Sequence, residues 1–151
     1  QFNTCQLANV GMACIIDIGN ANDIHPRNKV DVGNRLAFQC LKFYFEKELI
    51  WHGPRKSDVK IEGGKAIVSF DTDKLVVKNK YGYINGFAVA GADKIFHYAK
   101  ANLTGKNTVE VTCDAVGTIE AVRFLWADNP GEINLYNSVG LPAEPFRTDK
   151  W

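Results

Sequence analysis

The residues with the clearest chemical potential are Asp23-Ile24-His25-Pro26, followed by Lys29, Val32, Gly33, Asn34 and Arg35. An imidazole takes a proton from an attacking hydroxyl and returns it to a leaving group near neutral pH, so His25 is a candidate general base. A carboxylate that holds the tautomer and orientation of such a histidine completes the arrangement, and Asp23 and Asp17 are the local candidates. A lone His-Pro on a loop is also a common surface or hydrogen-bonded structural feature. The serines are Ser57, Ser69 and Ser138, and none sits in a Gly-x-Ser-x-Gly or Gly-Asp-Ser context. Ser69 lies in a strand-like run with Ile67 and Phe70, where a surface role is expected. The chain therefore carries half of a nucleophile-and-base pair.

The elements around His25 follow from hydrophobic period. Met12 to Ile16 is a continuous apolar run ending at Asp17 and followed by Gly19, Asn20, Ala21 and Asn22. Short apolar runs bounded by turn residues read as strands buried on both faces. After Pro26 the apolar residues Val32, Leu36, Leu41 and Tyr44, with Phe38 and Phe45 nearby, recur at roughly helical spacing. Proline near a helix start is favourable because its missing donor costs nothing there. His25 is thus expected on a loop after a strand's carboxyl end, the edge where open α/β sheets assemble their sites.

Beyond Trp51 the pattern changes. Strand-sized segments are expected at Val59 to Ile61, Lys65 to Phe70, Leu75 to Lys78, Phe87 to Ala90, Ile95 to Leu103, Val109 to Thr112 and Ala121 to Trp126. Gly63-Gly64, Asp71, Gly91 and Gly105-Lys106-Asn107 punctuate them. Seven short strands suggest a small antiparallel sandwich of jelly-roll type. Tyr81, Tyr83, Phe87, His97 and Tyr98 could contact sugar, since aromatic faces stack on carbohydrate CH surfaces, although strand aromatics more often pack in cores. Tyr81-Gly82-Tyr83 falls in a polar turn and is expected to be the most exposed of these; Trp126 is expected to anchor a domain boundary. Residues 129–151 read as an irregular tail with Pro142 and Pro145, which is costly to order unless it packs on something. Arg147 in that tail is expected either in a structural salt bridge or near an acidic substrate.

Composition limits the function classes. The formal charge of +1 leaves no footprint for nucleic acid or an anionic membrane. His25, His52 and His97 show no paired-ligand spacing, and no phosphate-binding glycine loop is present, so no metal or cofactor is expected. The lysines among the strands and turns read as solvated residues that protect sheet edges. Cys5, Cys14, Cys40 and Cys113 could form disulfides in an exported protein, but Cys14 and Cys40 lie in apolar patterns, where free thiols are at least as common. Asn102-Leu103-Thr104 is a glycosylation sequon, meaningful in a eukaryotic secretory protein. No signal-peptide pattern and no transmembrane-length apolar run are expected within these 151 residues.

The segment Asp17 to Ala37, DIGNANDIHPRNKVDVGNRLA, resembles the histidine-bearing block of the sialate O-acetylesterase-like family, carbohydrate esterases of the SGNH (GDSL) hydrolase superfamily. A second block is similar too: Trp126-Ala127, Asn129-Pro130, Asn134-Leu135-Tyr136-Asn137, Gly140-Leu141-Pro142-Ala143 and Pro145-Phe146-Arg147-Thr148-Asp149. The resemblance implies an α+β chain in which residues 1–52 are the C-terminal strand-loop-helix piece of an SGNH α/β hydrolase core. Residues 53–128 would form the accessory jelly-roll-like β-sandwich, and residues 129–151 a tail packing back on the hydrolase part. It makes His25 the general base of a serine esterase, with Asp23 as its acid partner. Many SGNH hydrolases carry Asp-x-x-His, and here Asn22 holds the position three before His25, so backbone carbonyls are the other candidates for orienting it. The family's serine and its oxyanion-hole glycine and asparagine lie in upstream blocks absent from this chain.

The resemblance further implies O-acetylated sialic acid or another acetylated sugar as substrate and a partner in an upstream hydrolase segment bearing the serine; from the residues themselves, Arg147 and Tyr83 are the candidate substrate contacts. The chain is expected to be a C-terminal fragment or the smaller piece of a cleaved precursor, inactive alone, and the family points to an extracellular, periplasmic or lysosomal setting. Two other readings stand beside this one. A non-catalytic carbohydrate-binding or interaction module would bind sugar without turnover. A fragment with no function of its own would leave Met12 to Ile16 without sheet neighbours, favouring a dimer or a swap.

Overall fold

The computed structural model describes residues 2–151, and its contacts divide the chain into two units, Gln1–Gly53 and Pro54–Trp151. Gln1 lies outside the described residues. No helix among the described residues is long and apolar enough to cross a membrane.

The first unit holds a short 3-10 turn at Phe2–Gln6 and one α-helix, α1, Lys29–Phe43. Asn28 starts the helix as its N-cap, its side-chain oxygen accepting from the Asp31 amide at 3.1 Å, while Pro26 stands outside. The helical expectation from Val32, Leu36 and Leu41 holds, but the buried face is another one. The residues that α1 buries are Arg35 and Gln39, whereas Val30 and Leu36 are exposed. Among the described residues this unit buries no large apolar side chain; every member of the apolar core lies between Ala66 and Phe146. Met12 to Ile16 corrects the sequence reading: the run is half-buried and forms no strand, since no partner strand lies in this unit to take up its backbone groups.

Polar bonds hold this unit together instead. Arg35 reaches Asp17 with both arms, 2.6 and 2.8 Å, and also donates to the Cys14 carbonyl at 2.7 Å. Gln39 donates to the Trp51 carbonyl at 2.7 Å. A Cβ on Gly11 would fall 2.4 Å from Gln39 Oε1, so only glycine lets the chain pass that close to α1. Phe43 and Trp51 meet edge to face at 4.9 Å.

The second unit is antiparallel throughout. Its strands are β1 Lys56–Glu62, β2 Lys65–Phe70, β3 Leu75–Val77, β4 Phe87–Ala90, β5 His97–Tyr98, β6 Lys100–Leu103, β7 Thr108–Thr112, β8 Ala121–Phe124, β9 Leu135–Asn137 and β10 Phe146–Arg147. One sheet runs β1-β2-β7-β6, a second β10-β8-β4-β5, and β3 pairs with β9. The two larger sheets meet in an aromatic core: Phe70 of the first lies 6.3 Å from Phe124 and 6.2 Å from Phe146 of the second, and Phe87 lies 4.6 Å from Phe124. Alternation sets this arrangement, since Ala66, Val68 and Phe70 of β2 all point inward. β1, exposed along nearly all its length, is an edge strand that carries Lys56, Asp58, Lys60 and Glu62.

Two features depart from the sequence reading. The single run expected from Ile95 to Leu103 divides at Ala99: β5 pairs with β4 in one sheet, and β6 pairs with β7 in the other. The segment is a corner where the chain changes sheets. Residues 129–151, expected to be irregular, supply β9 and β10 to this unit. Their strands are too short to show a period, and burial of Leu135, Tyr136 and Phe146 orders them.

Candidate functional site

The His25 loop is built from successive side chain to backbone bonds. Asn20 Oδ1 accepts from the Asn22 amide at 2.9 Å, and Asp23 Oδ1 accepts from the His25 amide at 2.8 Å. Both are Asx turns, which let a short chain reverse with its amides satisfied. They leave Ile24, 90% exposed, and His25 at the surface. The stem of the loop is fixed by the Arg35–Asp17 pair, whose carboxylate also holds the guanidinium above its ordinary range.

This geometry assigns the two local carboxylates different work. Asp17 is committed to Arg35. Asp23 meets His25 through the backbone, and among the described residues no hydrogen bond joins it to the imidazole. Ser138 Oγ donates to Asp73 at 2.7 Å, and that bond is the main cause holding the Asp73 carboxyl below its ordinary range. Ser57 lies on β1 and Ser69 on β2. No group of three His, Cys, Asp or Glu among the described residues is placed to hold a metal ion.

Arg147 and Tyr83 both lie in the second unit. Arg147 pairs with Asp149 and donates through Nε to the Asp149 carbonyl at 3.0 Å. Arg123 grips the same carboxylate with two bonds, 2.9 and 2.7 Å. Asp149 is buried, and its carboxyl is held below the ordinary range, chiefly by the Arg123 hydrogen bonds, with the charges of both arginines adding and burial opposing. Tyr83 stacks on Tyr81 at 5.9 Å, in a turn that Asn79 clamps through the amides of Tyr81 and Gly82. Asn134, fully buried, bonds the Tyr83 carbonyl and the Asn85 amide at 3.0 Å each. Asn137 Oδ1 accepts from the Leu141 amide at 2.8 Å. Within the second sequence block, then, Asn134, Asn137 and Asp149 carry the fold.

Of the other aromatics, Phe87 is core, His97 pairs with Val89 across β4 and β5, and Tyr98 is 93% exposed. Trp126, expected to anchor a boundary, is half exposed and lines a surface cleft with Phe96, Tyr98, Arg123 and Asn129. Sequence reasoning missed this cleft because its lining residues are scattered from Gly86 to Pro130 and meet only after the sheets pair.

No family model and no curated protein matches this chain. Among solved structures, a carbohydrate acetylesterase from Xanthomonas citri is similar to it, with 43% sequence identity and a TM-score of 0.93. The match covers 99% of this chain and 35% of that protein, so the chain spans about a third of the length of the enzyme it resembles. The nearly complete coverage of this chain at this identity supports a relation to carbohydrate esterases.

Proposed function

We propose that this chain contributes to a serine-dependent carbohydrate O-acetylesterase, supplying His25 as general base. The 43% identity over 99% of the chain to a carbohydrate acetylesterase carries this reading. In the reaction, a serine Oγ from a hydrolase segment outside these residues attacks the acetyl carbonyl as His25 takes its proton. The sugar hydroxyl leaves with that proton, and His25 then removes a proton from water as it attacks the acyl-enzyme, releasing acetate and restoring the serine. Asp23 braces the histidine's backbone in this scheme, and the imidazole is oriented by groups from the completed site. O-acetylated sialic acid or a related acetylated sugar is the substrate, and the setting is extracellular, periplasmic or lysosomal.

The first unit supports the need for a partner. A unit whose buried helix residues are Arg35 and Gln39, and which exposes Ile24, Val30, Leu36 and Tyr44, is what a piece of a larger hydrolase core looks like before the rest covers it. For Arg147, the bonds to Asp149 favour the structural role over contact with an acidic substrate.

The test is hydrolysis of p-nitrophenyl acetate and of O-acetylated sialic acid by the chain alone and mixed with the serine-bearing segment, each with native His25 and His25→Ala. Activity confined to the native mixture supports the proposal. Turnover that His25→Ala leaves unchanged sinks it. Exposed Tyr98 and Trp126 favour a second reading, a carbohydrate-binding module without turnover, which predicts sugar binding indifferent to His25.

A further inference from the structure

We infer that the cleft between Tyr98 and Trp126 is a carbohydrate subsite, shaped to stack a neutral pyranoside ring within an oligosaccharide chain. The cleft has a volume of about 270 Å³ and offers two kinds of surface, the rings of Phe96, Tyr98 and Trp126 and the amide of Asn129. A pyranose has the matching pair of surfaces, apolar CH faces and a polar hydroxyl rim. A second cleft of about 610 Å³, bordered by Tyr83, Asn85 and Asn102, shares Gly86 and Tyr98 with the first. Tyr98 therefore borders both clefts.

The lining selects a neutral ligand. No carboxylate lines either cleft. Arg123 is committed to Asp149 and lies over the Phe96 ring at 3.8 Å, and Lys100 is paired with Asp114 at 2.6 Å. Arg123 therefore has a buried anionic partner already, while the Lys100–Asp114 pair is exposed and leaves the ammonium in solvent.

Two of the three aromatic walls, Phe96 and Trp126, have a side-chain neighbour before any ligand arrives. Arg123 backs Phe96, and Arg147 lies 5.6 Å from the Trp126 ring centroid; both arginines are tied to the same buried Asp149. Gly86 has φ +92°, and a Cβ there would come within 2.2 Å of Leu125 Cδ2. Leu125 itself sits at φ 49°, a left-handed conformation that is costly for a branched side chain, and its amide donates to the Gly86 carbonyl at 2.8 Å. This strained junction ends β8 and sets the direction of the next residue, Trp126. Across the cleft, the change of sheet at Ala99 leaves Tyr98 at a corner with its ring almost wholly in solvent. Aromatic side chains have only two torsions to order on binding, which favours a stacking site.

The ligand class rests on the carbohydrate reading above, while the site itself uses neither His25 nor a serine. The experiment is calorimetric and tryptophan-fluorescence titration of the full chain with the neutral hexasaccharides of β-1,4-linked xylose, glucose and mannose. Saturable binding of at least one is expected, weakened about tenfold by Tyr98→Ala and by Trp126→Ala, and unchanged by Lys60→Ala on the exposed edge strand β1. Circular dichroism of each variant verifies that the sandwich is intact. Absence of saturable binding to all three sugars, or binding that both cleft variants retain, overturns the inference. Binding that persists where the reconstituted esterase shows no turnover sinks the proposed function and leaves this subsite standing.

Discussion

The two units of this chain use opposite means of holding shape. Residues 54–151 bury Phe70, Phe87, Phe124 and Phe146 between two sheets, so their order comes from apolar area removed from water. Residues 1–53 bury Arg35 and Gln39 and owe their order to a few polar bonds, each worth far less net than a buried aromatic ring. The difference teaches that the two units reach order by different means: the sandwich has an apolar core of its own, and the described residues of the histidine-bearing unit bury no large apolar side chain.

The sharpest break of that contrast is Phe124→Ala, expected to cost the sandwich about 4 kcal/mol through loss of apolar burial and a core cavity. A urea melt followed by tryptophan fluorescence measures it, and a loss below 1 kcal/mol, on the order of a surface change, would contradict the role given to the aromatic core. Asp149→Asn follows, at about 3 kcal/mol, since it leaves two arginines facing each other without their shared carboxylate. Its pH signature has a definite sign. The folded carboxyl is depressed below its ordinary 3.8, so its contribution is complete above that value and is lost as pH falls through the lower folded value. Acid titration of stability should show that loss in the native chain and lack it in Asp149→Asn.

Arg35→Ala sharpens the other side. It strands the buried Asp17 carboxylate and frees the Cys14 carbonyl, and is expected to cost about 2 kcal/mol, confined to the first unit. Hydrogen exchange reads the confinement: α1 amides should lose protection while β2, β7 and β8 amides keep theirs. Leu36→Ala should be the mildest change, within about 0.5 kcal/mol in this chain because the side chain is over half exposed. With the proposed hydrolase segment bound, the same substitution should weaken association, measured by calorimetry. An unchanged affinity would show that this face of α1 stays bare.

Legibility in the sequence followed the range of the forces involved. β2 and β4 were readable at their ends because a short apolar-rich segment bounded by turn residues is a local pattern. α1 was readable as a helix from its period, yet its buried face was not, because a long-range ion pair and the passage of Gly11 decide which side faces inward. Met12 to Ile16 carries the composition of a buried strand and finds no partner, since a strand is a property of pairs. Tyr98 could be named as a possible sugar contact, but neither its 93% exposure nor the cleft it shares with Trp126 was legible.

What the sequence by itself determined is the chemistry available: one histidine on a turn-rich loop, no serine in a nucleophile setting, and a run of short alternating strands. Turn propensity and side-chain alternation act between near neighbours, so they are written in consecutive residues. The tertiary structure decided where the carboxylates are spent, that the segment around Ala99 changes sheets, and that Phe96, Tyr98 and Trp126 enclose one cleft. Those outcomes depend on contacts between residues far apart in the chain, which exist only once the sheets have paired and packed.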